Sequence, residues 1–278
     1  MSFSPDWLDL REPADRRARN AALADRLASC LADREAVSVV DLGCGLGSNL
    51  RGLWRALPAR QDWRLVDHDE ALLAGARARL SAWADAAEED GDVLRLTKAG
   101  RRITVRFVRA DLARDLDAAL GETPDLVTAA ALFDLCGAAW IAGFAAALAR
   151  RGALFHTALT YDGRETWEPA HPADAAIRAA FLSHQGEDKG FGPSAGPAAT
   201  RALASAFAAA GYETQIGDSP WRLEAPRDAA LIRALAEGQA DAVAETGRVP
   251  ADALAAWRAA RVVAQAATIG HKDLFARP

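Results

Sequence analysis

The sequence predicts an α/β fold in which a mostly parallel sheet carries helices on both faces. Three observations predict it. Short β-branched runs alternate with stretches that are apolar at helical spacing. A glycine-rich turn joins the first run to the helix after it, and the first two runs each end in a carboxylate, Asp41 and Asp67.

Taken in order, residues 14–30 read as a helix with Leu23, Leu27 and Cys30 or Leu31 on one face. Val37-Ser-Val-Val-Asp41 is a strand that runs into Gly43-Cys-Gly-Leu-Gly47. The next helix starts at Ser48 and carries Leu50, Leu53, Trp54 and Leu57 up to Pro58. Trp63-Arg-Leu-Val-Asp67 is a second strand, and 69–87 a second helix. Around Lys98-Ala-Gly-Arg the period changes to strict alternation, which predicts a β-hairpin from 93–96 and 103–108. A short acidic helix, a buried strand at 124–130, a helix ending at Gly152 and a strand at 153–159 follow.

Residues 161–197 break the pattern. Gly, Pro, His, Asp and Lys recur there with one short helix at 173–181, and loops of that length are commonly lids. Beyond a helix ending at Gly211, two runs at 212–219 and 221–225 read as strands antiparallel to each other, joined at Pro220. Two alanine-rich helices fill 228–268. The whole reads as a single domain, 1–278, with a core at 35–160, a lid at 161–200 and a closing segment at 201–278.

Composition narrows the class. A chain 51% hydrophobic and 26% charged can bury a core, which excludes a disordered, collagenous or disulfide-stapled protein. A net charge of −5 without blocks of like charge gives no general attraction for nucleic acid. No uncharged apolar run approaches the roughly 18 residues of a membrane span, and the N-terminus lacks a signal-peptide pattern. Three cysteines without C-x-x-C argue against a disulfide framework or zinc site, so no metal is expected and a reducing cytoplasm fits.

The glycine turn lets backbone N–H groups approach a ligand closely. Its spacing is G-x-G-x-G, whereas the dinucleotide fingerprint is G-x-G-x-x-G. The carboxylate of Asp41, just before it, would repel a pyrophosphate and suit an ammonium group. No Gly-Lys-Ser/Thr follows, which excludes a Walker loop.

Val39-Val-Asp-Leu-Gly-Cys-Gly-Leu-Gly-Ser-Asn49 closely resembles motif I of the class I S-adenosylmethionine-dependent methyltransferases. The resemblance covers about residues 35–160, and 212–225 is similar to the family's closing hairpin. It implies a Rossmann-like, seven-stranded, mostly parallel sheet, here with a β-hairpin extension, a lid insertion and a helical C-terminal segment. It implies S-adenosylmethionine as cofactor. Asp67, followed by His68, matches the acidic residue that holds the ribose hydroxyls. Asp111-Leu112 matches the position that recognises the adenine edge, and 124–135, with Ala130 at its centre, looks like the fourth strand and loop beside the reactive methyl. Asp41, Gly43, Cys44 (through its backbone), Gly45 and Asn49 complete the implied cofactor contacts.

Arg11, just ahead of the first helix, is placed to pair with the methionine carboxylate. For catalysis the candidates are Asp134 beyond the fourth strand, His156 in the fifth, and Tyr161 and His184 in the lid. No Asn/Asp-Pro-Pro-Tyr/Phe follows the fourth strand, a departure from the amino-methylating nucleic-acid enzymes, and no Asp/Asn metal cluster is evident. The expectation is therefore methyl transfer to a small polar metabolite, without nucleic-acid or membrane partners. Another use of the sulfonium, or a non-catalytic cofactor-binding role, stays open because fold alone does not choose the chemistry.

Overall fold

A computed structural model describes residues 3–278. The chain opens with α1 (Pro5–Ala18) and α2 (Ala21–Cys30). The single helix expected over 14–30 is thus two, and the first begins at Pro5, so Arg11 lies within α1 and not ahead of the first helix. Arg19 is extended, and the Asn20 side chain caps α2 by accepting from the Leu23 N–H at 3.1 Å. The Asn20 N–H itself donates to the buried Asp273 at 2.8 Å, a contact across most of the chain.

Next come β1 (Ala36–Leu42), α3 (Ser48–Leu53), β2 (Arg60–Asp67) and α4 (Glu70–Trp83). The second predicted helix stops short, because residues 86–90 form an edge strand, β3 (Ala86–Asp90). It pairs with the predicted hairpin, β4 (Val93–Lys98) and β5 (Arg101–Arg109), making the extension three-stranded. The elements α5 (Leu116–Leu120), β6 (Leu126–Ala130), α6 (Ala138–Ala149) and β7 (Leu154–Glu168) follow. Then come α7 (Asp174–Gln185), α8 (Ala199–Ala209), β8 (Glu213–Asp218), β9 (Trp221–Glu224), α9 (Ala229–Thr246), α10 (Ala251–Arg261) and β10 (Ala266–Arg277).

One sheet holds every strand, in the order β3-β4-β5-β2-β1-β6-β7-β10-β8, with β9 also on β10. The run β5-β2-β1-β6-β7 is parallel, and β10 closes it antiparallel to β7. Alternate residues of β1 enter opposite cores. Val40 and Leu42 pack with α6 and α8, while Val37 and Val39 pack with α2, α3 and α4, so helices cover both faces.

The closing segment differs from the expected hairpin. β8 and β9 do not pair with each other. Both run antiparallel to β10 in one continuous register, from Arg277 opposite Glu213 to Ala266 opposite Glu224. They are one strand interrupted at Ser219-Pro220, since proline has no N–H to give the ladder. The helices expected over 228–268 are α9 and α10, but the chain ends in β10, a strand the sequence pattern did not predict.

The stretch expected to be a long lid also divides. Its first eight residues continue β7, pairing with β10 as far as Glu168 opposite Ala266. Helix α7 then joins α1, α9 and α10 in a third core beyond the sheet. It is anchored by the fully buried Arg261, whose Nε and Nη2 donate to Asp174 and whose Nη1 donates to the Pro169 carbonyl. Only residues 186–195 form a loop over the strand ends. That loop lies so close to Gly137 that a Cβ there would come 2.5 Å from the Phe191 carbonyl oxygen.

Candidate functional site

Strand β1 ends at a loop in which Gly43, Gly45 and Gly47 all have positive φ, at 63°, 51° and 75°. Side chains other than glycine rarely adopt this conformation, so the sequence pattern and the loop's shape are one fact. The loop folds onto the end of β2. The Cys44 N–H donates to the Val66 carbonyl at 3.0 Å, and the Gly45 N–H to Asp67 Oδ2 at 2.9 Å. The other oxygen of Asp67 accepts from the Asp69 N–H at 3.0 Å and lies 3.3 Å from His68 Nδ1. Capping of α4 is done by Asp69, which accepts from Ala71 and Leu72. The Asp67 carboxylate is thereby left at the rim of a cavity of about 730 Å³.

That cavity lies outside the carboxyl ends of the parallel strands, where open α/β sheets bind ligands. The structure brings Arg11, Gly43, Cys44, Gly45, Asn49, Asp67, His68, Asp111, Leu112 and Ala130 to its wall. The side chain of Asp111 turns back to accept from the Ala113 N–H at 3.0 Å, which sets the backbone of that corner. Arg11 gives Nε and Nη2 to Asp15, at 2.9 and 3.2 Å, and stacks 5.0 Å over Trp221. Its remaining nitrogen, Nη1, is uncommitted by that pair. Leu135, within the expected 124–135 segment, lines the cavity, as do Leu8, Leu72, Lys189 and Phe191, which were not among the expected cofactor contacts. The signal for Leu72 was its place in the first turn after the capping aspartate; for Leu8 there was none.

Asp41 is not at the wall. It is wholly buried, accepting from Asn49 Nδ2 at 2.7 Å, and Asn49 in turn reaches Thr128 at 3.1 Å. Burial pushes the Asp41 carboxyl up to about 7, against the opposing pull of the Asn49 bond and Arg19. It positions Asn49 rather than meeting an ammonium group. Burial likewise pushes the Cys44 thiol well up, so its sulfur is no nucleophile and its backbone is what serves the loop.

The four catalytic candidates separate. Asp134 sits in a 3-10 turn between Leu132 and Leu135, both cavity-lining, and is itself buried; it accepts from Gln185 Nε2 at 3.2 Å. Burial pushes its carboxyl up to about 6, while Arg11 and the Tyr161 amide pull it down. Tyr161 is its neighbour, with the phenol pushed upward by burial. His156 lies elsewhere, inside the sheet between Thr128 and Phe275, and burial lowers it to about 4. His184 is turned by α7 towards α9, where its Nε2 is 3.1 Å from Glu245. None of the four lines the cavity. Among the described residues no group of three or more His, Cys, Asp or Glu could hold a metal ion, and no helix is long and apolar enough to cross a membrane.

A parallel sheet in this order, closed by an antiparallel strand, with the glycine loop after β1 and a carboxylate ending β2, is a Rossmann-like α/β fold. Solved structures share it over nearly the whole chain. A cyclopropane synthase from Mycobacterium tuberculosis matches with a TM-score of 0.50 at 13% identity, covering 99% of this chain and 95% of its own. The YcgJ protein from Bacillus subtilis gives 0.51 at 11% identity, covering 93% of this chain and 99% of its own. A mycolic acid cyclopropane synthase complexed with SAH and CTAB gives 0.50 at 13% identity, covering 92% of this chain and 83% of its own. At such identities the likeness is one of fold. No family model and no curated protein sequence matches this chain.

Proposed function

We propose that this protein is an S-adenosylmethionine-dependent methyltransferase acting on a small polar molecule. The observation that carries the reading is Asp67. Its two oxygens are held by the Gly45 and Asp69 amides, and the carboxylate stands at the rim of the cavity. A carboxylate has about four acceptor sites, so lone pairs remain for a ligand's hydroxyls. The residues fit the cofactor: Asp67 for the ribose, the 111–113 corner for the adenine edge, Leu72 and Leu112 for its faces. The open backbone of Gly43 and Gly45 and the free Nη1 of Arg11 serve the methionine end.

When bound, the cofactor supplies an already activated methyl group. The chain's work is to align an acceptor with it, exclude water, and take a proton where one must leave. The loop at 186–195 supports a small acceptor. Its Lys189 and Phe191 form part of the cavity wall, and it is tied down by Ser194 Oγ donating to the Leu135 carbonyl at 3.0 Å. A cover of this kind favours an acceptor small enough to sit beneath it. Cys30, Cys44 and Cys136 are free thiols, which suits a reducing cytoplasm.

Calorimetry with S-adenosylmethionine and S-adenosylhomocysteine tests the cofactor. Tritiated cofactor offered with total RNA, total protein and a filtered metabolite pool tests the acceptor. Label confined to the filtrate is expected; label entering only macromolecules overturns the acceptor reading.

A further inference from the structure

Among the basic residues on the cavity wall, Lys189 stands apart. The arginines there are accounted for. Arg11 is bonded to Asp15, while Arg109 and Arg114 are well exposed to water and lie near carboxylates, Glu70 at 3.3 Å and Asp111 at 3.6 Å. Only 9% of the Lys189 side chain is exposed. Among the described residues its Nζ has no hydrogen-bond acceptor, and its one carboxylate neighbour, the exposed Glu187, is 3.8 Å away. An ammonium drawn out of water without hydrogen bonds is costly, and a ligand that supplies them offsets that cost. The nitrogen is still reached by solvent, unlike the sealed polar atoms of Asp134, Tyr161, Gln185 and His271 behind the wall.

The loop carrying Lys189 is fixed over the turn after β6. The Ala195 N–H donates to the Cys136 carbonyl at 2.8 Å, and the Phe191 ring packs edge-on against Trp140 at 4.9 Å. In the order β2-β1-β6, the tip of β6 is two strand spacings, roughly 10 Å, from the tip of β2 that carries Asp67. Leu132, Leu135 and Phe191 give this side of the cavity an apolar lining.

We propose that Lys189 is a specificity-determining residue for the acceptor, which carries a carboxylate that pairs with the ammonium and a flat apolar body that rests against Phe191, Leu132 and Leu135. The inference rests on the methyltransferase reading above. The cofactor brings a single anion, its methionine carboxylate, and Arg11 with the glycine loop serves that end. A second wall cation without a hydrogen bond therefore calls for a second anion, and the acceptor is what remains to supply it. One ammonium matches one negative charge, whereas a phosphate carries nearly twice that. A carboxylate is also attracted to the positive sulfonium of the bound cofactor, in a cavity where water screens charge poorly.

The test titrates benzoate, benzamide and phenyl phosphate into the full-length protein saturated with S-adenosylhomocysteine, by ligand-detected NMR and calorimetry. Saturation fills the position of the methionine carboxylate, so benzoate is kept from binding there. Benzoate is expected to bind at least about tenfold more tightly than benzamide, its neutral counterpart of the same shape, and more tightly than phenyl phosphate. Lys189→Met should remove the preference for benzoate over benzamide and Lys189→Arg should keep it, both variants holding S-adenosylhomocysteine within about twofold of the parent. Benzamide binding as well as benzoate, no benzoate binding, tighter binding of phenyl phosphate, or the same preference in Lys189→Met would each overturn the proposal. So would a loss of S-adenosylhomocysteine affinity in Lys189→Met as large as its loss of benzoate affinity, which assigns the lysine to the cofactor. Failure of the parent protein to bind S-adenosylhomocysteine overturns the methyltransferase reading instead, and benzoate binding to the parent and to Lys189→Met then still reports on the subsite.

Discussion

Replacing Asp67 with alanine removes one carboxylate that does two jobs. In the folded protein it accepts from the Gly45 N–H at 2.9 Å and the Asp69 N–H at 3.0 Å. Hydrogen bonds to a charged group are worth roughly 1.5–3 kcal/mol each, and because this one borders a cavity, water can replace part of the loss. Taking the lower figure for both gives a stability loss of about 3 kcal/mol. At roughly 2–4 °C per kcal/mol for a chain near this size, the melting temperature should fall by roughly 6–12 °C. Cofactor binding should weaken further, by about 1–3 kcal/mol for the ribose hydroxyls left unpaired, or roughly five- to 150-fold. Differential scanning fluorimetry reads the first effect, and calorimetry with S-adenosylhomocysteine, below the variant's melting range, reads the second. An unchanged affinity refutes the ribose assignment. An unchanged melting temperature refutes the claim that Asp67 holds the glycine loop.

Three further outcomes are expected. Asp41 keeps its proton in the folded state between 3.8 and about 7, where the unfolded chain has released it, so its contribution to stability falls as pH rises through that window. Asp41→Asn removes this slope: in urea melts the variant should match the parent near pH 4 and gain on it by up to about 4 kcal/mol by pH 7.5, at ~1.4 kcal/mol per pKa unit. A difference that does not grow with pH contradicts the burial argument. Arg261→Met should cost about 3–5 kcal/mol by leaving Asp174 without its buried cation, and the pair Arg261→Met with Asp174→Leu should recover much of it in thermal melts. In hydrogen exchange, residues 154–185 should be slow with or without S-adenosylhomocysteine, while 186–195 should slow on its addition; uniform slow exchange would make that loop a fixed wall.

The parts of the protein legible in its sequence are those whose cause is local. The strand Val37-Ser-Val-Val-Asp41, three glycines at positive φ and the cap at Asp69 each follow from a few neighbouring residues. The family resemblance then pointed to Asp67 and Asp111-Leu112, which the structure brings to the cavity wall. Alternation revealed β4 and β5 for the same reason, but not β3, whose Ala86–Asp90 is wholly exposed and has no apolar face to show.

What the tertiary structure decided depends on partners far along the chain. β10 shifts register against β7 twice, between Ile269 and His271 and between Lys272 and Leu274, so its side chains do not alternate as a strand's should. The irregularity is held by Asp273, fully buried, which accepts from Leu159 on β7 and Asn20 between the first two helices, each at 2.8 Å. No local window contains those donors. The same long-range pairing turned the expected hairpin into one interrupted strand, drew the first eight residues of the expected lid into β7, and placed His271 beside Tyr161. His156 and His184 illustrate the converse: a residue type suited to catalysis is only a candidate until packing decides which way the ring faces. Sequence marked out the glycine-loop end of the cavity because a loop and two strand tips make it. The buried polar group of Asp134, Tyr161, Gln185 and His271 comes from the turn after β6, β7, α7 and β10, and only their packing brings those side chains together.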